Sequence, residues 1–135
     1  MAERVVETSL RVRYAETDAM GVVYHANYLV WFEVGRGEYL RALDQTYDAW
    51  EREGYLLPVV EAYARYQAPA RYGDSVVVRT WVERVRSRSL TLAYEVIDAG
   101  TRQLLASGWT RHLCTGHDGQ VRRLPQALLN DGGAP

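Results

Sequence analysis

The sequence predicts an α+β domain in which an antiparallel β-sheet is wrapped around a long central α-helix. Three features say so. A segment of period-2 alternation opens the chain, residues 25–43 are apolar at helical spacing around most of the circumference, and four runs rich in β-branched and aromatic residues follow. That order lets one sheet curl round one helix.

Taken in order, Leu10, Val12 and Tyr14 alternate with Arg11 and Arg13, the pattern of a half-buried strand. In residues 25–43 the apolar side chains, among them Tyr28, Leu29, Val30, Trp31 and Phe32, cover so much of a helix that protein should surround it. Gly35 and Gly37 lie inside it, each costing about 1 kcal/mol against Ala, and a sheet pressed on the helix would account for both. Residues 44–54 read as a turn and a short helix stopped by Gly54. Strands are predicted over 56–67, 75–85, 90–98 and 104–115, joined as consecutive hairpins through turns at 72–74, 86–89 and 99–101. Asp118-Gly119 makes another tight turn, and residues 124–130 form a short helix entered through Pro125. Residues 1–135 make one domain with a loose tail over 131–135, and the chain shows no internal repeat, linker or low-complexity segment.

Charge and composition narrow the function. A formal net charge of -1 argues against nucleic acid as a partner, since phosphate-neutralising proteins present a basic face. All 16 cationic residues are Arg, which suits bidentate anion contacts and is equally a matter of base composition. Cys114 is the lone cysteine, so no internal disulfide can form and no oxidising compartment is needed. The amino terminus alternates charged with apolar residues, unlike a signal peptide, and the best apolar stretch, 28–34, is far short of the roughly 20 residues of a membrane span. The expected location is the cytoplasm.

The chemistry is concentrated in ETDAMGVVYHANYL, residues 16–29. On spacing alone the run describes local structure: Thr17 or Asp18 caps a turn, Gly21 bends the chain, and His25 and Asn27 are polar residues at a helix start. A sharper reading uses the unpaired N–H groups at the start of that helix as an oxyanion hole, with the acid seven residues upstream as nucleophile or general base on a carbonyl. Elsewhere, Glu33 sits three residues before Arg36, which favours a helix-surface ion pair over catalysis. Arg84, Arg86 and Arg88 crowd a turn that is either solvated or able to grip phosphates. His112, Cys114 and His117 lack a fourth ligand, so no metal is expected, and there is neither a Gly-x-Ser-x-Gly elbow nor a dinucleotide fingerprint.

The run Tyr14, Thr17-Asp18, Gly21-Val22-Val23-Tyr24-His25, Asn27-Tyr28, continuing to Phe32-Glu33 and Arg36, closely resembles the hotdog-fold acyl-CoA thioesterases of the 4-hydroxybenzoyl-CoA thioesterase and YbgC-like family, over about residues 9–129. The resemblance implies hydrolysis of a small or medium acyl-CoA to free acid and coenzyme A, without a cofactor. It implies Asp18 as the catalytic carboxylate and the His25 backbone N–H as donor to the thioester oxygen. The His25 imidazole either acts on the leaving thiolate or is structural. Asn27 and Tyr28 would shape the entry or the acyl pocket, Tyr24 would pack the loop, and Arg86 and Arg88 would meet the nucleotide end of the coenzyme. How Tyr28, Trp31, Val59 and Tyr63 pack would then set the pocket's depth. A homodimer, commonly doubled to a homotetramer, completes each site. An acyl-carrier-protein thioesterase and a non-catalytic acyl-CoA-binding module are the alternatives on the same fold; a hotdog dehydratase fits less well, because its helix acid and loop histidine are not the pattern here.

Overall fold

Alternation of small β-branched side chains over residues 75–85 places Val76, Val78, Thr80 and Val82 on a single buried face. This run is the spine of the sheet. A computed structural model describes residues 4–43 and 47–131. Its strands are β1 (Val6–Arg11), β2 (Val59–Tyr66), β3 (Ser75–Val85), β4 (Ser89–Asp98) and β5 (Leu104–Leu113). The helices are α1 (Asn27–Arg41), α2 (Tyr47–Arg52) and α3 (Gln126–Asp131), with one 3₁₀ turn at Tyr14–Glu16. All five strands form one antiparallel sheet in the order β1-β3-β4-β5-β2.

The turns predicted at 72–74 and 118–119 are built on Gly73 and Gly119, both at positive φ. Gly54, at φ +85, ends α2 as expected. The hairpin order needs one correction. Strands β3, β4 and β5 are consecutive neighbours, but β2 pairs with β5, with Tyr66 opposite Ala106, and the 67–74 segment crosses over to β3. Strand β1 also begins earlier than the alternation at Leu10 suggested, leaving Val12 as a core residue beyond its end. Residues 44–46 of the predicted second turn, and 132–135 of the predicted tail, lie outside the described residues.

Helix α1 is the other partner in the core, packing chiefly on β3 and β1. Tyr28, Trp31, Phe32, Gly35, Arg36, Tyr39 and Leu40 are buried, a stripe at i, i+3 and i+4 spacing. The opposite side is not wrapped: Leu29 and Val30 are 38% and 51% exposed, and Glu33 is exposed too. One sheet face can cover only one side of a helix, which is why the all-round wrapping predicted from the apolar pattern is not met within the described residues. The two helix glycines also differ. A Cβ on Gly35 would stand 2.4 Å from Thr80 Oγ1 and 2.9 Å from Val78 Cγ1, the close approach predicted. Gly37 has nothing within 4 Å of such an atom, so close packing does not explain it.

Candidate active site

The loop before α1 folds back on itself through a short ribbon. Thr17 bridges Val23, and the Asp18 N–H donates to the Val22 carbonyl at 2.8 Å. Gly21 closes the turn at φ +80, a conformation that side chains disfavour, and its N–H reaches the Asp18 carbonyl at 3.0 Å. The half-buried Asp18 carboxylate takes part as well: Oδ1 accepts from the Met20 N–H at 2.8 Å and from the Val22 N–H at 3.4 Å. Its second oxygen accepts no hydrogen bond among the described residues. The turn thus holds one oxygen and leaves the other without a donor among the described residues.

No side chain caps the helix start at Ala26. The first turn instead tightens into i to i+3 bonds, with Asn27 N–H on the Tyr24 carbonyl at 2.9 Å, Tyr28 on His25 at 3.3 Å and Leu29 on Ala26 at 3.2 Å. The N–H groups of His25 and Ala26, just ahead of these, donate to nothing among the described residues. They stand at the positive end of the helix dipole, where an oxyanion is best received.

Glu16 ties this loop to the helix, a role that sequence reading did not assign. Its carboxylate is buried, with Oε2 accepting from the Trp31 indole and Oε1 from the Arg13 N–H, each at 2.9 Å. Its main-chain carbonyl takes the Asn27 side-chain amide at 2.8 Å and the Tyr24 N–H at 2.9 Å. Burial alone would raise the Glu16 pKa, but the hydrogen bonds from Arg13 and Trp31, with the Arg13 charge, hold it below the ordinary carboxylate value.

Between loop and sheet lies a cavity of about 400 Å³, within the range of small-molecule sites. Asp18 and His25 line it together with Tyr28, Tyr66, Ala68 and Pro69. Rings pack against one another in its wall: the Tyr28 ring is 5.2 Å from that of Tyr66, and behind it 4.9 Å from that of Trp31. Burial pushes the Tyr28 hydroxyl up in pKa, against the pull of a backbone hydrogen bond with Ala70, so it stays protonated at neutral pH. Tyr66, also absent from the sequence-based site, donates its hydroxyl to the His25 carbonyl at 2.9 Å.

Of the residues singled out by sequence, Asp18, His25 and Tyr28 meet in this cavity. The Tyr24 ring lies tilted against that of His25, at 4.4 Å, and Asn27 points to Glu16. Arg86 and Arg88 are exposed on the β3–β4 turn, level with Leu113 and so at the far end of the sheet from Tyr66 and Ala106. At the rise of a strand that is a separation of about 20 Å. Within one chain they do not join the cavity. Val59 lines a second cavity of about 350 Å³, alongside Leu29, Glu33 and Arg36, while Tyr63 stacks on Trp109. Glu33 pairs with Arg36 at 2.6 Å, as its spacing predicted.

His112 belongs to a different cluster. Its Nδ1 is 3.0 Å from the Leu57 carbonyl, which can only accept, so Nδ1 carries the proton. Nε2 therefore accepts from Thr110 at 2.8 Å, and Thr110 in turn accepts from Tyr94 at 2.7 Å. Burial, aided by the Arg36 charge, pushes the His112 pKa down to about 4 against the opposing Leu57 hydrogen bond.

The chain from Val12 through Asp131 matches the family model described as the thioesterase-like superfamily. It is 41% identical over 111 residues to YneP of Bacillus subtilis (strain 168), a candidate acyl-CoA thioesterase by name, a match spanning 82% of this chain and 79% of that protein. It is 36% identical over 90 residues to the acyl-CoA thioester hydrolase YbgC of Escherichia coli O157:H7, spanning 67% of each. The crystal structure of a DHNA-CoA thioesterase from Staphylococcus aureus superposes with a TM-score of 0.85 at 33% identity, covering 97% of both chains. Family model, relatives and superposition agree with one another, and this chain belongs to the thioesterase-like superfamily as a hotdog-fold thioester hydrolase.

Proposed function

We propose that this protein hydrolyses a small or medium acyl-CoA to the free acid and coenzyme A, with chemistry centred on Asp18 and the start of α1. One observation carries the reading: Asp18 and His25, whose N–H has no partner among the described residues, line the same cavity. The thioester carbonyl oxygen accepts from the His25 N–H, which polarises the carbon and stabilises the negative charge of the tetrahedral intermediate. Either Asp18 attacks that carbon, giving an acyl-aspartyl anhydride that water later cleaves, or Asp18 takes a proton from a water that attacks directly. In both routes the C–S bond breaks, the thiolate leaves with the coenzyme and recovers a proton, and Asp18 is regenerated. The His25 imidazole, exposed at the mouth, is placed to help the thiolate or to shape the entrance. Tyr28 walls the acyl group, with Asn27 and Tyr24 holding the loop in register. No cofactor is called for, since coenzyme A arrives as part of the substrate.

The working unit is a homodimer or a tetramer of two dimers, in the cytoplasm. Strand β2 is a sheet edge with Val59, Val60, Tyr63 and Tyr66 each more than 40% exposed, and it borders the uncovered face of α1. A second copy would cover both and complete the wrapping of the helix. Arg86 and Arg88 would then serve the coenzyme phosphates only across a boundary between copies. A monomer by light scattering at micromolar concentration would contradict the assembly.

Thiol release from a panel of aliphatic and aromatic acyl-CoAs, with intact protein beside Asp18→Asn, tests the chemistry. Loss of about a thousandfold in turnover, with binding kept, is the expected outcome. Equal turnover in both proteins removes Asp18 from the reaction. Absence of turnover in either favours an acyl-carrier-protein substrate, to be assayed next, or a binding module.

A further inference from the structure

The helix start depends on a residue from the far edge of the sheet. Tyr66 is the last residue of β2, 41 positions after His25, and its hydroxyl donates to the His25 carbonyl at 2.9 Å. The only other donor to that carbonyl among the described residues is the Tyr28 N–H, at a longer 3.3 Å. A peptide unit is planar and trans, so its C=O and N–H point in opposite directions. Holding the His25 oxygen therefore aims the N–H of Ala26. The preceding peptide unit, which carries the His25 N–H, is held separately, by the Asn27 N–H on the Tyr24 carbonyl at 2.9 Å. Neither the His25 nor the Ala26 N–H donates to any described residue, and His25, next in the chain to Ala26, lines the same cavity as Tyr66.

We propose that Tyr66 is a positioning residue for the thioester hydrolase site: its hydroxyl fixes the His25–Ala26 peptide so that the Ala26 N–H joins the His25 N–H in receiving the carbonyl oxygen. The inference rests on the reading of Asp18 and the helix start given above. It adds a second donor and a latch from β2, the strand on which self-association would act. Rings pack around the phenol, with Tyr28 at 5.2 Å and His25 at 6.2 Å, so Tyr66→Phe keeps the wall and removes only the hydrogen bond.

Two readouts test it. In steady-state thiol release from benzoyl-CoA and from the best substrate of the panel, Tyr66→Phe lowers kcat about tenfold and leaves KM within about twofold, less than outright loss of an oxyanion donor costs. In Raman difference spectra of carbonyl-labelled benzoyl-CoA bound to Asp18→Asn, the carbonyl stretch lies below its value in water, and adding Tyr66→Phe returns part of that shift. The spectrum reports bound, folded protein, so lost stability cannot imitate the result. Unchanged kcat, or a lower kcat with an unchanged carbonyl shift, overturns the role of Tyr66 and leaves the Asp18 reading standing. Wild-type turnover by Asp18→Asn sinks that reading and this inference together.

Discussion

Two polar clusters flank helix α1, and they treat their hydrogen-bonding groups in opposite ways. In the cluster around His112 each group named has a partner: Tyr94, Thr110, His112 and the Leu57 carbonyl form one chain, and Arg36 adds a bond to that carbonyl at 3.1 Å. At the helix start, one Asp18 oxygen and the His25 and Ala26 N–H groups have none among the described residues, and Asp18 and His25 line one cavity. Buried groups left unpaired cost stability, whereas groups aimed into a cavity can offer that same bonding capacity to a ligand. On the proposed reading, the difference separates the polar groups that hold the fold from those that serve the chemistry.

If the His112 cluster is structural, breaking it should cost stability without touching the reaction. His112→Ala takes one partner each from Thr110 and the Leu57 carbonyl and opens a cavity between them, and should lower the unfolding free energy by about 3 kcal/mol, measured by urea titration. A smaller effect follows from pH. Below the ordinary His pKa of 6.5, the unfolded chain binds a proton that folded His112, with its pKa near 4, refuses. Stability is full above about pH 6.5 and falls toward pH 4, by up to about 1.4 kcal/mol per unit. Glu16, held below its usual value, adds its own loss only at lower pH. Urea midpoints between pH 7 and about 4.5 should show this slope, and His112→Ala should flatten it.

The glycines sharpen the same contrast between crowded and open positions. Gly35→Ala forces a methyl onto Thr80 and Val78 and should cost about 2 kcal/mol by thermal unfolding. Gly37→Ala meets nothing among the described residues and should gain about 1 kcal/mol from helix propensity alone, the smallest effect of the set. Equal responses at the two positions would mean that the sheet does not press on the helix at Gly35.

Local pattern made much of this legible. Strands β3, β4 and β5 stand within two residues of their predicted limits because alternation and punctuating turns bound them on both sides. The pairing of β2 with β5 was not legible, since neighbour order in a sheet is a long-range choice that no local period encodes. That Asp18 and His25 would lie together was legible because one short run contains both. Glu16 and Tyr66 could not: their partners, Trp31 and His25, are 15 and 41 residues away. Arg86 and Arg88 show the converse limit, for basic residues at a turn declare a charge but not the end of the sheet on which it falls.

The decisive measurement is turnover per folded molecule for Asp18→Asn and His112→Ala, assayed side by side for thiol release and for unfolding midpoint. The account predicts a crossed result: Asp18→Asn keeps a midpoint close to that of the intact protein and loses about a thousandfold in kcat, while His112→Ala loses stability and keeps the kcat of its folded fraction. Asp18→Asn with undiminished kcat, or His112→Ala that is stable but inactive, would contradict it.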